Sequence, residues 1–147
     1  MKLYLDLCIY NRAFDDQHQG RIALETNAFI YILEKVEKGG YEPVLSEALI
    51  YENDKNPDEL RKLRVASYFR LAKDFVKIDN EDLRKGKYLV TLGFSTMDAL
   101  HITLAEKCPA DYFITCDDAL IKCYRKHKDS IKIRVVSLLE FVSQEED

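Results

Sequence analysis

Short apolar segments alternate with longer segments of helical periodicity along the whole chain. This alternation constrains the fold strongly, because parallel strands need long crossover connections and helices supply them. The predicted strands are residues 2–7, 43–45, 75–78, 111–115 and 132–136. The predicted helices are residues 21–38, 46–53, 58–74, 80–93, 95–109, 117–128 and 138–142. The pattern indicates an α/β fold with a mainly parallel sheet.

The length of 147 residues predicts a single domain, residues 1–147, with one hydrophobic core. Hydrophobic residues make up 47% and charged residues 33%, a balance typical of globular proteins. No apolar run approaches the roughly 20 residues that cross a bilayer, and Asp6 interrupts the first run before a signal-peptide core can form. The four cysteines form no CxxC pair, which favours free thiols over a zinc site. We therefore predict a cytoplasmic protein without a membrane segment.

The net charge of −4 argues against a uniformly basic nucleic-acid-binding domain, but it allows a local basic face. The segment IKCYRKHKDSIKIR, residues 121–134, carries six lysines and arginines. The basic residues that we predict to contact nucleic-acid phosphates are Arg12, Lys122, Arg125 and Lys126. The alternative is a solvated helix surface, since runs of this kind are common.

Carboxylates follow two of the predicted strands at the point where each strand ends. Asp6 comes at the end of the first strand, and Asp117 and Asp118 follow the fourth. Parallel sheets bind ligands beyond the carboxyl ends of their strands. The helices that follow strands begin at the same edge, which adds Glu52 one and a half turns into its helix. Asp98 lies in the first turn of the helix that starts at Ser95, although no strand directly precedes that helix. The fold therefore predicts that these carboxylates converge.

Each of these residues also has a purely structural interpretation. Asp6 can simply end a strand, and Asp117 or Asp118 can cap a helix. Asp98 fits a variant of the capping box, and Glu52 can be one exposed residue of the polar string YENDKN. Several carboxylates on one edge repel one another, so the set as a whole favours a bound cation or protonation over independent caps.

The chemistry of such a cluster is specific. Carboxylate oxygens are the ligands that Mg²⁺ and Mn²⁺ prefer. Such ions activate a water, bridge a phosphate and stabilise the leaving oxygen. The sequence offers no well-placed histidine pair, Ser–His couple or Gly-rich phosphate loop for a competing reaction. It therefore predicts metal-assisted phosphodiester hydrolysis.

Four motifs resemble those of a known family. They are LD at residues 5–6, SEALIYE at 46–52, MDALH at 97–101 and ADYFITCDD at 110–118. In this order and spacing the chain resembles the PIN-domain nucleases, which include the VapC-type toxin ribonucleases, and the resemblance covers nearly its whole length. It implies a three-layer α/β/α fold with a mainly parallel sheet. It also implies a metal-dependent endoribonuclease, the toxin of a toxin–antitoxin pair.

The resemblance assigns the catalytic carboxylates to Asp6, Glu52, Asp98 and Asp117. Asp6, Asp98 and Asp117 would hold one or two Mg²⁺ or Mn²⁺ ions. Glu52 would be a further ligand or would orient the attacking water, and the family spacing selects it over Glu47.

Two further residues and several partners are implied in the same way. Thr115 would assist the metal site through its hydroxyl, and His101 would support the site by hydrogen bonding or act as a general base. The T-x-D pattern selects Asp117 over Asp118. The resemblance also implies an RNA substrate, a small antitoxin protein and a homodimer.

One departure from the family pattern favours an alternative function. Leu7 and Cys8 stand where many PIN domains have Thr and Asn after the first aspartate. The alternative is a non-catalytic PIN-like module that binds RNA or protein. A phosphatase of the haloacid-dehalogenase type is disfavoured, because it needs an aspartate at Cys8. A phosphorylation receiver is disfavoured as well, because the chain has no acidic pair ahead of a phosphoacceptor.

Overall fold

The computed structural model describes residues 1–146, and five parallel strands form one sheet within them. The strands are β1 (Lys2–Leu5), β2 (Glu42–Ser46), β3 (Asp74–Val76), β4 (Tyr112–Thr115) and β5 (Arg134–Ser137). Their order across the sheet is β3-β2-β1-β4-β5, with every pairing parallel. The first strand is therefore the central one, and the chain reverses its direction of winding beside it.

Eight α-helices and two short 3₁₀ turns connect and cover the strands. The helices are α1 (Leu7–Asn11), α2 (Gly20–Glu37), α3 (Glu47–Asp54), α4 (Glu59–Phe69), α5 (Asn80–Thr91), α6 (Thr96–Lys107), α7 (Asp118–Lys126) and α8 (Leu138–Glu146). The 3₁₀ turns are Arg12–Phe14 and Lys128–Ser130. Within residues 1–146, no helix is both long and apolar enough to span a membrane.

Helices cover both faces of the sheet. On one face the ring of Tyr4 in β1 stacks on Phe113 in β4, with 5.3 Å between centroids, and meets the His101 ring of α6 edge-on at 5.6 Å. On the opposite face Tyr112 of β4 packs against Phe141 of α8 at 5.2 Å. Neighbouring strand residues point to opposite faces of the sheet, so Tyr112 and Phe113 lie against two separate layers of helices. This arrangement confirms the three-layer α/β/α fold.

The central strand is apolar on both faces, because both are covered. Leu3, Tyr4 and Leu5 are at most 1% exposed. Each such side chain contributes roughly 1.5–3 kcal/mol through its burial. This strand therefore holds the residue that follows it, Asp6, at a fixed point on the carboxyl edge of the sheet.

The first predicted strand is too long. Residues 2–7 were expected to be extended, whereas the strand ends at Leu5 and a helix begins at Leu7. The cause is Asp6, whose Oδ1 accepts a hydrogen bond from the Leu7 N–H at 2.8 Å and caps α1. Residues 7–10 are as apolar as the strand before them, so composition does not separate helix from strand here. The signal that separates them is the helix cap at Asp6.

A glycine with a positive φ angle joins α5 to α6. Gly93 has φ +117°, a conformation that side chains disfavour, although the space beside it would accommodate a methyl group. We expect Gly93→Ala to lower the free energy of unfolding by about 1–2 kcal/mol, as measured by urea denaturation. The control is Gly86→Ala in the interior of α5, where a methyl group meets no atom within 4 Å. That change should stabilise the protein by about 0.5–1 kcal/mol, so equal effects at both glycines would contradict the argument.

Candidate active site

Asp6, Thr115 and Asp117 are linked at the carboxyl ends of the two central strands. Asp6 is buried, at 6% exposure, and its Oδ2 accepts a hydrogen bond from the Thr115 hydroxyl at 2.7 Å. The same hydroxyl accepts the Asp117 N–H at 3.0 Å. Asp117 caps α7 through Oδ1, which accepts the Ala119 N–H at 2.9 Å. Each aspartate thus uses one oxygen as a helix cap, and the structural and functional interpretations of the sequence are compatible at both positions.

Glu52 and His101 approach Asp6 from two helices. Glu52 of α3 accepts a hydrogen bond at Oε1 from Nε2 of His101 in α6, at 2.9 Å. Asp6, Glu52 and His101 each present one ligand atom, and these three atoms lie within 4.8 Å of one another. Two carboxylates and an imidazole at this spacing could hold a metal ion if Nε2 of His101 carried no proton; while Nε2 donates to Glu52, the carboxylates are the available ligands. The helices after β2 and before β4 therefore deliver side chains to the point where β1 ends.

Asp98 lies in the first turn of α6 and is half-buried. Burial, followed by the negative charge of Asp6 and then that of Asp117, raises the pKa of Asp98 to about 6. The cap residue Ser95 and His101 oppose this shift. The three aspartates therefore share one electrostatic environment, in which their combined negative charge is unfavourable without a cation.

Two solved structures have the same fold. A structure of VapBC2 from Rickettsia felis, bound to a DNA fragment from its promoter, matches 93% of this chain and 98% of its own chain, with a TM-score of 0.63 and 15% identity. A DNA-bound VapBC from Salmonella typhimurium matches 94% of this chain and 98% of its own, with a TM-score of 0.52 and 14% identity. No family model and no curated protein matches the sequence. At these identities the likeness is one of fold, and it agrees with the motif resemblance. The chain has the PIN-domain fold of VapC proteins.

Acidic neighbours of the predicted site residues have separate structural contacts in this PIN domain. Glu47 accepts the Ile78 N–H at 2.9 Å, and Asp111 accepts the Lys2 N–H at 2.7 Å. Asp118 forms a two-point ion pair with Arg21. Glu47 and Asp118 therefore have structural partners of their own, and the assignment of Glu52 and Asp117 to the site stays a prediction.

A network of ion pairs lies beside the candidate site, and no sequence motif predicts it. Glu25 of α2 is 2% exposed and binds Arg12 at 2.9 Å and Arg21 at 3.4 Å. Arg21 also donates to the Cys116 carbonyl oxygen at 3.2 Å and binds Asp118. The network therefore fixes the turn that presents Asp117. The available sequence signal was the i, i+4 spacing of Arg21 and Glu25, which is common on exposed helices and indicates no site by itself.

The four residues predicted to contact phosphates lie in two environments. Arg12 binds Asp15 at 2.8 Å as well as Glu25, so its charge is balanced by two carboxylates. Lys122, Arg125 and Lys126 are exposed on α7, the helix that Asp117 caps. Where the structure describes side chains, none of these three is paired with a carboxylate. Their role as a phosphate-binding face stays a prediction.

Cys8 lies where the family pattern has an amide. Its sulfur accepts the Cys116 N–H at 3.2 Å and lies 3.6 Å from both Asp6 Oδ2 and the Thr115 hydroxyl. The contact with Cys116 and then burial raise the pKa of the Cys8 thiol well above its ordinary value. A neutral thiol therefore fills the space beside Asp6, and the carboxylate keeps its hydrogen bond to Thr115.

Thr115 is the residue whose hydroxyl joins the two strand-end aspartates. We expect Thr115→Val to lower the free energy of unfolding by about 1–3 kcal/mol, because the change keeps the shape, leaves Asp6 Oδ2 with only the weak Cys8 thiol donor and removes the acceptor of the Asp117 N–H. The matched control is Thr103→Val on α6, where the buried hydroxyl donates only to the Ala99 carbonyl oxygen of its own helix. Chemical denaturation of both variants measures the difference, and equal losses would argue against a special role for the Thr115 hydroxyl.

Proposed function

We propose that this PIN domain is a metal-dependent ribonuclease that hydrolyses RNA phosphodiester bonds. The observation that carries the proposal is the convergence of four carboxylates on one edge of a parallel sheet. Those residues are Asp6, Glu52, Asp98 and Asp117. The raised pKa of Asp98 supports it, because a cluster with this mutual repulsion is stabilised by a cation. The same convergence of negative charge is the reason that we propose a metal-dependent enzyme.

The donor set suits a hard cation. Asp6, Asp98 and Asp117 supply carboxylate oxygens, and they would hold one or two Mg²⁺ or Mn²⁺ ions. When bound, such an ion would lower the pKa of a water and offset negative charge on the scissile phosphate. The protein's contribution is to hold these carboxylates in place before the substrate arrives.

The remaining residues of the site position the reacting groups. Thr115 fixes the orientation of Asp6 through its hydroxyl. Glu52 uses Oε1 for His101, which leaves its second oxygen to orient the attacking water or to bind a further ion. Lys122, Arg125 and Lys126 would hold the RNA backbone on either side of the cleaved bond, and their contribution should weaken with salt.

A partner protein belongs to the proposal as well. Two solved structures with this fold, those from Rickettsia felis and Salmonella typhimurium, are VapBC complexes bound to DNA. By analogy we propose that this chain is the toxin of a toxin–antitoxin pair, blocked by a small antitoxin protein. A homodimer is part of the same analogy.

The test is cleavage of a labelled mixed-sequence RNA by the purified protein with Mg²⁺, with Mn²⁺ and with EDTA. We expect cleavage with either metal and none with EDTA, because the carboxylates alone cannot neutralise the phosphate. Calorimetry with Mn²⁺ on the same sample distinguishes the alternative, a non-catalytic binding module, for which the Leu7-Cys8 departure is the specific support. A protein that neither binds Mn²⁺ nor cuts RNA would contradict the proposal and favour that module.

A further inference from the structure

A line of buried hydrogen bonds leads from Ser46 through Tyr4 and His101 to Glu52. Glu52 is its only member that belongs to the carboxylate cluster. The Ser46 Oγ and the Tyr4 hydroxyl are 2.6 Å apart, and the Tyr4 hydroxyl lies 2.6 Å from Nδ1 of His101. The other ring nitrogen of His101 lies 2.9 Å from Glu52 Oε1. Ser46, Tyr4 and His101 are all 0% exposed. Three fully buried polar side chains are therefore connected by hydrogen bonds to one half-exposed carboxylate, that of Glu52.

The chemistry of the groups fixes the direction of each bond. A carboxylate has no proton to donate, so Nε2 of His101 donates to Glu52. In a neutral imidazole Nδ1 then accepts, and the Tyr4 hydroxyl is its donor. Burial raises the pKa of Tyr4 well above its ordinary value, which keeps that hydroxyl protonated. The Ser46 hydroxyl donates to Tyr4, while Ser46 Oγ accepts the Leu49 N–H at 3.1 Å.

If the hydrogen bonds ran in the opposite direction, from His101 to Ser46, fewer donors and acceptors would have a partner. If Nδ1 donated to Tyr4 and Tyr4 to Ser46, the imidazole would have to carry a proton on both nitrogens to keep its bond to Glu52. The Ser46 hydroxyl hydrogen would also lose its acceptor in this line. The direction from Ser46 to Glu52 uses each donor once, and a fully satisfied buried network of this kind holds its members in one geometry.

We propose that the Ser46–Tyr4–His101 line is a positioning device that sets the proton on Nε2 of His101 and holds Glu52 facing Asp6. His101 is then a positioning residue for Glu52, in place of a general base, because its Nε2 proton is already donated. The inference rests on the proposed nuclease function for its consequence in catalysis. The hydrogen-bond direction itself can be measured without RNA.

The first experiment measures the tautomer of His101 by ¹⁵N NMR of the full chain, with the signal assigned by its loss in His101→Gln. We expect a neutral ring protonated on Nε2 in the wild type and a mixture of tautomers in Tyr4→Phe. The control is Tyr10→Phe, since Tyr10 is equally a core residue but packs on Phe29 and Phe69 instead of His101. A wild-type ring protonated on Nδ1 alone or on both nitrogens, or a Tyr4→Phe spectrum identical to the wild type, would overturn the proposal.

The second experiment compares two variants at His101 in the Mn²⁺-dependent cleavage of mixed-sequence RNA. His101→Leu removes the donor to Glu52, and we expect kcat to fall about 10- to 100-fold with KM unchanged. His101→Gln retains an N–H that can reach Glu52 and should recover most of the loss. Equal rates for the two variants would show that the N–H bond to Glu52 is irrelevant.

Calorimetric titration with Mn²⁺ accompanies the kinetics and separates failure of the positioning inference from failure of the proposed function. A wild-type protein that binds Mn²⁺ without cutting RNA would contradict the nuclease, whereas the tautomer measurement would still confirm or overturn the hydrogen-bond line. Circular dichroism of each variant controls for folding.

Discussion

Asp98→Asn is expected to abolish metal-dependent RNA cleavage and, in the same protein, to stabilise the metal-free fold near neutral pH. Loss of one carboxylate ligand removes several kcal/mol of transition-state stabilisation, so the rate should fall at least about 1000-fold. The stabilisation has a different origin. Asp98 is half-buried and repelled by Asp6 and Asp117, and asparagine has the same shape without the charge.

The pH dependence of this stabilisation follows from the direction of the pKa shift. The folded pKa of Asp98 is raised from 3.8 to about 6, so between these values the folded protein binds more protons than the unfolded chain. Stability from this group therefore falls as the pH rises through that range, and the penalty is complete above it. Discounted for partial exposure to solvent, the penalty is about 1–2 kcal/mol. The variant should gain this amount at neutral pH and almost nothing near pH 4.

Urea denaturation at several pH values, in EDTA, measures the stability of the wild type and Asp98→Asn, and the RNA assay measures cleavage. The matched control is Asp129→Asn, an exposed aspartate on a 3₁₀ turn before β5, for which both readouts should be unchanged. Retention of metal-dependent cleavage by Asp98→Asn would exclude Asp98 as a ligand. A loss of stability at neutral pH would contradict the electrostatic explanation.

Glu25→Ala is expected to cause the largest loss of stability among substitutions outside the apolar core, about 2–3 kcal/mol. Glu25 is buried and joins Arg12 to Arg21, so its removal leaves each guanidinium group with a single, more exposed carboxylate partner, Asp15 or Asp118, and breaks the link between them. The loss stays below that of a fully buried pair, because the side chains of Arg12 and Arg21 are 20% and 50% exposed and can recover water.

The control for Glu25→Ala is Glu34→Ala, an exposed residue near the end of the same helix, which should change stability by less than about 0.5 kcal/mol. Thermal and urea denaturation measure both variants. Since Arg21 also holds the turn before α7, we expect Glu25→Ala to weaken Mn²⁺ binding at Asp117 as well. A variant that keeps both its stability and its Mn²⁺ affinity would show that the network contributes little.

The sequence was sufficient to predict the fold because the central strands are short buried runs and most of the helices have a start or stop signal. Ser46 and Ser95 illustrate this: both were expected to begin helices, and both cap one, through hydrogen bonds to Leu49 and Asp98. The position of Asp6 at the edge of the sheet followed from the strand before it. These predictions depend on local pattern and on the geometry of parallel sheets.

The site's supporting contacts could not be predicted in the same way. In the sequence, Arg21 and Glu25 have the i, i+4 spacing that is common on exposed helix surfaces, and Tyr4 stands in a short apolar run between Leu3 and Leu5. Their roles depend on which atoms meet between separate elements, across 42 residues of sequence for Tyr4 and Ser46 and 95 for Arg21 and Cys116. Periodicity specifies which face a residue occupies, but it does not specify its partner on the other element.

The central position of the first strand has a consequence for synthesis on the ribosome. Asp6 is translated 109 residues before Thr115, the residue that orients it. The two strands that must pair to bring them together are neighbours in space and distant in sequence. Nascent chains that stop before β4 therefore lack both Asp117 and the Thr115 hydroxyl that orients Asp6, so the proposed nuclease gains its activity only after β4 and the turn that follows it have been translated.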